Sequence, residues 1–124
     1  HPVKVKDSAT VLEAVDAIVS NRVSGLCVVD DTDRLVGVLS ELDCLRAIIE
    51  KVYEAGEDDP GLVSDIMTRE VDANKPSDDI ISVASSMLDS RQRRRPVLDG
   101  HDLVGQVTCR QILGAIRNFV DPKK

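Results

Sequence analysis

The sequence predicts a mixed α/β (α+β) chain in which one β-α-β-β-α unit is used twice. Three observations carry this. An apolar stripe of helical spacing, headed by Val11, returns 69 residues later at Ile80. Each stripe is followed by two short apolar runs joined by a polar Asp-containing turn, the pattern of a β-hairpin. Each hairpin is followed by a second helical pattern.

The elements follow in chain order. Val3-Lys4-Val5 is a short extended segment. Val11, Leu12, Val15, Ile18 and Val19 then form one stripe of an amphipathic helix. Leu26-Cys27-Val28-Val29-Asp30 and Leu35-Val36-Gly37-Val38-Leu39 are strands around the turn Asp31-Thr32-Asp33. Leu42, Leu45, Ile48 and Ile49 mark the closing helix of the first copy. The acidic, breaker-rich stretch Glu54–Gly61 reads as an exposed linker.

The second copy opens with Leu62-Val63-Ser64-Asp65-Ile66-Met67 and the extended Glu70-Val71-Asp72-Ala73. Ile80, Ile81, Ala84, Met87 and Leu88 repeat the first stripe. Pro96-Val97-Leu98-Asp99 and Leu103-Val104-Gly105-Gln106-Val107 are strands around Gly100-His101-Asp102, and Ile112, Leu113 and Ile116 close the copy. The expected division is therefore 1–53, a linker 54–61, and 62–124. A unit of about 50 residues is too small to hold a core alone, so the copies are expected to pack together. The first copy has no counterpart of residues 62–67, and His1 reads as a trimmed start. The short tail after Ile116, ending Asp121-Pro122-Lys123-Lys124, reads as the approach to a natural C-terminus and favours a stand-alone protein.

Composition narrows the function. The net charge of −6 repels phosphate backbones and anionic lipid. Tyr53 and Phe119 are the only aromatic residues, so the core must be aliphatic and no stacking platform for single-stranded nucleic acid is available. No apolar run approaches the roughly 20 residues of a membrane span, and no signal peptide is visible. Cys27, Cys44 and Cys109 are odd in number and unpaired in spacing, and read as buried, reduced thiols of a cytoplasmic protein. His101 falls in a turn and is expected to be exposed; Met67 and Met87 sit at core spacing. No nucleophile–base pair, zinc spacing or phosphate-cradling loop is present, so the chain is not expected to be an enzyme.

Several stretches resemble the cystathionine-β-synthase (CBS) domain. They are Val63-Ser64-Asp65-Ile66-Met67-Thr68, Arg95-Pro96-Val97-Leu98-Asp99 and Leu103 to Thr108, matched in the first copy by Leu26 to Asp30 and Gly37 to Asp43. The resemblance covers nearly the whole chain, in two copies. It implies two β-α-β-β-α units related by a pseudo-twofold axis, with sheets packed together, helices outside and clefts between the copies. It further implies a homodimeric regulatory module that binds AMP, ADP, ATP or S-adenosylmethionine, needs no catalytic cofactor, and engages neither nucleic acid nor a membrane. The rival reading is a ligand-free dimerisation scaffold. A weaker third is nucleic-acid binding through Arg91–Arg95.

The resemblance also names the candidate ligand contacts. Ser40 would reach ribose or phosphate and Asp43 the ribose hydroxyls, with Gly37 in the same motif. Ser24, Gly25, Leu26, Thr68, Arg94, Arg95, Pro96, Thr108 and Gln111 complete the set. An ionised carboxylate suits a diol because charge-assisted hydrogen bonds are strong, and a helix N-terminus suits a phosphate. The same Ser-x-x-Asp and Thr-x-x-Gln patterns are also those of helix capping boxes, whatever else they do. Gln111 replaces the ribose carboxylate in the second copy, so the two copies are expected to be unequal there. Arg93, Arg94 or Arg95 could reach a phosphate or could simply be solvated or paired with acidic groups; Ser24-Gly25-Leu26 holds the same place in the first copy without a cation.

Overall fold

In the computed structural model, which describes residues 2–120, the doubled pattern folds as two units: Pro2–Val71, and a second that begins at Asp72. His1 and residues 121–124 lie outside the described residues, and the expectations for a trimmed start and a nearby C-terminus fall there.

The first unit contains β1 (Lys4–Lys6), α1 (Val11–Asn21), β2 (Gly25–Val29), β3 (Leu35–Ser40) and α2 (Glu41–Ala47), which runs on as a π-helical stretch Ile48–Glu54, and then the short α3 (Val63–Ile66). Its sheet has the order β1-β2-β3, with β1 parallel and β3 antiparallel to β2. Parallel β1 and β2 need a crossover, and α1 supplies it. Thr10 starts α1 with a capping box: its Oγ1 accepts from the Glu13 amide at 3.1 Å, and the Glu13 carboxylate accepts from the Thr10 amide at 3.3 Å. Arg22, at φ 53°, ends it in the left-handed conformation. Arg91 ends the matching helix of the second unit in the same way, at φ 55°.

Val11, Ala14 and Ile18 of α1, Leu26 and Val28 of β2, Leu39 of β3, Cys44 of α2, and Val63 and Met67 form the core of the first unit. The stripe read from the sequence is thus only partly right. Val11 and Ile18 are buried, but Leu12 is 53% and Val19 69% exposed. Leu12 and Val19 each lie about 100° around the helix from Val11 and Ile18, on the side that turns away from the core. The closing helix departs further: Cys44 and Ala47 face the core, while Leu42, Leu45 and Ile49 are exposed. Cys44 and Ala47 share the inward face of α2, and this phase carries the leucines outward.

Residues 62–71, which the sequence repeat assigns to the head of the second copy, pack in the first unit. The Val63 amide donates to Ala9 O at 2.9 Å, Ser64 N to Asp7 O at 3.1 Å, and Val11 N to Gly61 O at 2.9 Å. Val63 is fully buried. The linker stretch is exposed through Asp59, but Pro60 is buried and Gly61, at φ 95°, is docked. The repeat in the sequence and the units in the structure are therefore divided at different places.

The second unit contains α4 (Ile80–Ser90), β4 (Arg94–Asp99), β5 (Asp102–Thr108) and α5 (Cys109–Val120). The extended segment 70–73 forms no strand; Asn74 alone bridges Val97, in parallel. β4 and β5 form a two-stranded antiparallel sheet whose register slips between Val97 and Leu98, just as β2 slips between Val28 and Val29. The core is thin: Val83, Met87 and Ile112, backed by Ala84, Val107 and Ile116. Ile81, Leu88 and Leu113 are exposed.

Turn carboxylates fix the connections. Asp30 accepts from the Thr32 hydroxyl at 2.7 Å and from the Thr32 and Arg34 amides. These bonds, the hydroxyl first, hold its carboxyl below the usual range. Asp78 is lowered in the same way, first by the Lys75 amide and then by Asn74. Cys27 and Cys44 are buried as expected, but Cys109 is exposed in the first turn of α5, which corrects the reading of all three as buried. Burial, reinforced by the neighbouring Asp43 charge, pushes the Cys44 thiol up and away from thiolate chemistry. His101 is exposed in its turn.

Candidate functional site

The hairpin in each unit ends at the N-terminus of its closing helix, and the candidate polar residues collect there. In the first unit Gly25 pairs with Ser40. The Glu41 amide donates to Ser24 O at 2.9 Å, which ties the start of β2 to the start of α2. Ser40 caps α2: its Oγ accepts from the Asp43 amide at 3.1 Å, and Asp43 Oδ2 accepts from the Ser40 amide at 2.9 Å. The capping role expected of Ser40 is thus present. It also fixes Asp43, which is half-buried. Among the described residues only Oδ2 of Asp43 is engaged, so Oδ1 remains to accept from hydroxyl or amine donors. Glu41 adds a second carboxylate to the same helical turn, a poor setting for phosphate and a good one for a diol.

The second unit repeats this geometry with different chemistry. Arg94 pairs with Thr108, and the Cys109 amide donates to Arg93 O at 2.9 Å. Thr108 Oγ1 accepts from the Gln111 amide at 3.2 Å, and Gln111 Oε1 accepts from the Thr108 amide at 3.0 Å. This cap spends the amide oxygen of Gln111 and leaves a neutral amino group where the first unit presents a carboxylate.

The three arginines are not alike. Arg95 is buried, at 5% exposure; its Nε donates to Gln92 Oε1 at 2.6 Å, and its guanidinium lies 3.9 Å from Asp72. Gln92 also donates to Asp72 at 2.8 Å. Arg95 is therefore buried behind a polar pair, half-buried Gln92 and exposed Asp72, that engages its guanidinium from the solvent side. Arg93 is exposed and Arg94 half-buried. Sequence reading missed Asp72 and Gln92 because nothing in their spacing marks them as partners of an arginine.

The other candidates lie elsewhere. Leu26 is in the core, opposite Leu39. Gly37 and Thr68 meet at the outer edge of β3, where the Thr68 amide donates to Val38 O at 2.9 Å and the Val38 amide to Thr68 O at 3.0 Å. Pro96 is buried, and its carbonyl accepts from the Asn74 amide. At the opposite end of the second hairpin, Asn74, Pro76, Ser77 and Leu98 line a cleft of about 370 Å³ that the sequence did not suggest. Among the described residues, Asn74 Oδ1 is buried without a hydrogen-bond partner.

The family comparison agrees with the doubled geometry. The model of the CBS domain matches residues 1–50 and again 63–118.

The chain belongs to the CBS domain family.

The CBS pair is 33% identical over 112 residues to the inosine-5′-monophosphate dehydrogenase of Methanocaldococcus jannaschii, covering 90% of this chain and 21% of that enzyme. It is 29% identical over 114 residues to the L-aspartate semialdehyde sulfurtransferase of Methanosarcina acetivorans, covering 92% of this chain and 20% of the enzyme. It thus spans about a fifth of either relative. The solved structure of CBSX2 in complex with AMP superposes with a TM-score of 0.84 at 29% identity, over 97% of this chain and 90% of that one. A CBS domain pair solved with 5′-methylthioadenosine and S-adenosyl-L-methionine has the same fold, with a TM-score of 0.79 at 22% identity. Among the described residues, no helix of this CBS pair is long and apolar enough to cross a membrane.

Proposed function

We propose that this CBS pair is a regulatory module that binds an adenosine-type ligand, AMP, ADP, ATP or S-adenosylmethionine, and transmits its presence without catalysis. The observation that carries the reading is Asp43, locked by the Ser40 cap with one carboxylate oxygen left over. Ser24, Gly25 and Ser40 form the ledge beside it, and Gly37, Leu26 and Thr68 hold that hairpin in place. In the second unit Arg94, Thr108 and Gln111 occupy the matching positions, with Arg95 and Pro96 behind them. Its neutral amide makes this a weaker diol site. The likeness to CBSX2, solved with AMP, supports the ligand class.

Thermal unfolding with AMP, ADP, ATP and S-adenosylmethionine tests this. Ligand at 100 times its dissociation constant should add about 2.7 kcal/mol, a shift of several degrees. Asp43→Asn keeps an acceptor for the Ser40 amide and loses the charge, so it should weaken binding about tenfold with the fold intact. Asp43→Ala loses both, and should also lower the ligand-free melting temperature through the lost cap. No saturable shift with any of the four at millimolar concentration would overturn the reading.

A second reading, a homodimerisation scaffold, is favoured by the outward apolar side chains. Leu12 and Val19 on α1, Leu42 and Leu45 on α2, and Leu88 and Leu113 in the second unit are all more than half exposed. Large exposed apolar side chains on the helices of each unit are what an association surface would use. Sedimentation velocity should give a dimer that Leu12→Glu with Leu42→Glu converts to monomer; a monomer at all concentrations would reject it. Free thiols at Cys27, Cys44 and Cys109 support a reducing, cytoplasmic setting.

A further inference from the structure

The closing helices of the two units, α2 and α5, match position for position when counted from their caps at Ser40 and Thr108: Leu42 answers to Arg110, Leu45 to Leu113 and Ile49 to Arg117. Cys44 and Ile112 are buried at equivalent places, while Leu45 and Leu113 both stand outward, at 56% and 67% exposure. The outward faces therefore share a central leucine and differ around it. On α2 the flanks are Leu42 and Ile49, with exposed Glu41 and Glu50 beside them; on α5 they are the exposed Arg110 and Arg117.

The difference in charge extends through each unit. Residues 1–71 carry 15 acidic and 7 basic side chains, and residues 72–124 carry 7 acidic and 9 basic. α2 and its π-helical continuation hold Glu41, Asp43, Glu50 and Glu54 against Arg46 and Lys51; α5 has Arg110 and Arg117 and no acid. Among the described residues, neither of these two arginines is in an ion pair, nor is Glu41 or Glu50. Residues 62–68 dock on the first unit and still leave Leu42 and Leu45 exposed, so a segment of that kind is not what covers either helix.

We infer that the α5 face at Arg110, Leu113 and Arg117 is the seat for the α2 face of a second copy of this chain, with Leu45 packed on Leu113 and Glu41 and Glu50 against the two arginines. The inference rests on the homodimer reading and fixes which surfaces meet. Charge makes the choice. Laid antiparallel with Leu45 opposite Leu113, α2 puts Glu41 opposite Arg117 and Glu50 within two residues of Arg110, about 3 Å along a helix. Laid parallel, each glutamate falls one residue from an arginine. Two α2 faces laid antiparallel bring Glu41 within one residue of Glu50, and two α5 faces bring Arg110 within one residue of Arg117. Unlike charges around an apolar contact select the partner surface, and like charges reject the others. A twofold dimer makes the α2–α5 contact twice.

The test is sedimentation velocity on two charge-reversed chains, one carrying Arg110→Glu with Arg117→Glu and the other Glu41→Arg with Glu50→Arg. Each alone sets like charges across both contacts, and should associate about tenfold more weakly than the unaltered chain. Mixed in equal amounts, the two restore every pairing and should recover the dimer, which also shows that both are folded. A chain that dimerises undiminished with either pair reversed would overturn the inference and leave the homodimer reading standing, because α2 on α2 and α5 on α5 keep like charges opposite whatever their sign. A mixture of folded variants that stays monomeric would overturn it too, and an unaltered chain that is monomeric at all concentrations would overturn both readings. Arg117→Lys keeps the charge and gives a second measurement should the reversed chains misfold. Carbodiimide should then join residue 117 to Glu41 or Glu50 of a second, ¹⁵N-labelled copy; links between copies that reach only acids outside 41–54 would overturn the inference.

Discussion

Val63→Asp is expected to unfold the first unit, although the sequence repeat places Val63 in the second. Val63 is fully buried among Val11, Ala14 and Ile18, and its amide is bonded to Ala9 O. A carboxylate there has no cationic partner in that core and must either ionise in an apolar site or take up a proton, at a cost of several kcal/mol. A domain of ordinary stability has only about 5–15 kcal/mol to lose. Val63→Ala, which leaves a small cavity, should cost about 2 kcal/mol. Amide spectra locate the effect. Collapse of the β1, β2 and β3 resonances is the expected result of Val63→Asp. Loss of the β4 and β5 resonances with the first unit intact would show that the segment belongs to the second unit.

The repeat made most of the fold legible. Hairpins and helices fall where the periodicity and the Asp-containing turns put them, because a period of two or of 3.6 is imposed by the backbone itself. Which face of each helix meets the core was less legible. Leu42 and Leu45 are more apolar than Cys44 and Ala47, yet it is the small pair that faces inward, so hydrophobicity along the sequence does not set the phase of α2. The candidate site was legible where it coincides with local chain chemistry. Ser40 with Asp43 and Thr108 with Gln111 are capping boxes within four residues of sequence, and both form. Arg95 was not legible as a buried residue, since its partner Asp72 is far along the chain and only the fold brings them together. The docking of residues 62–64 against the β1–α1 connection and of Thr68 onto β3 depends equally on tertiary pairing, and spacing cannot reveal it.

The same substitution at the two equivalent glycines is expected to act in opposite directions. Gly37→Ala places a methyl group against the Thr68 carbonyl, which is itself held by the Val38 amide, and against the flexible Met67 side chain. Met67 can yield; the carbonyl can move only by giving up the pair of bonds that fastens the segment to β3. Overpacking of this kind costs about 1–3 kcal/mol, and the loss of each hydrogen bond adds about 1 kcal/mol. Among the described residues Gly105→Ala meets no atom within 4 Å, and Gly105 does not occupy a positive-φ conformation. There the alanine only restricts the unfolded chain, and should stabilise by about 0.4–1 kcal/mol. Thermal unfolding of the two variants should therefore bracket the unaltered protein, with Gly37→Ala several degrees below it and Gly105→Ala slightly above. Equal losses would mean that the β5 edge is as occupied as the β3 edge. An unchanged Gly37→Ala would mean that residues 67 and 68 do not rest on β3 in solution.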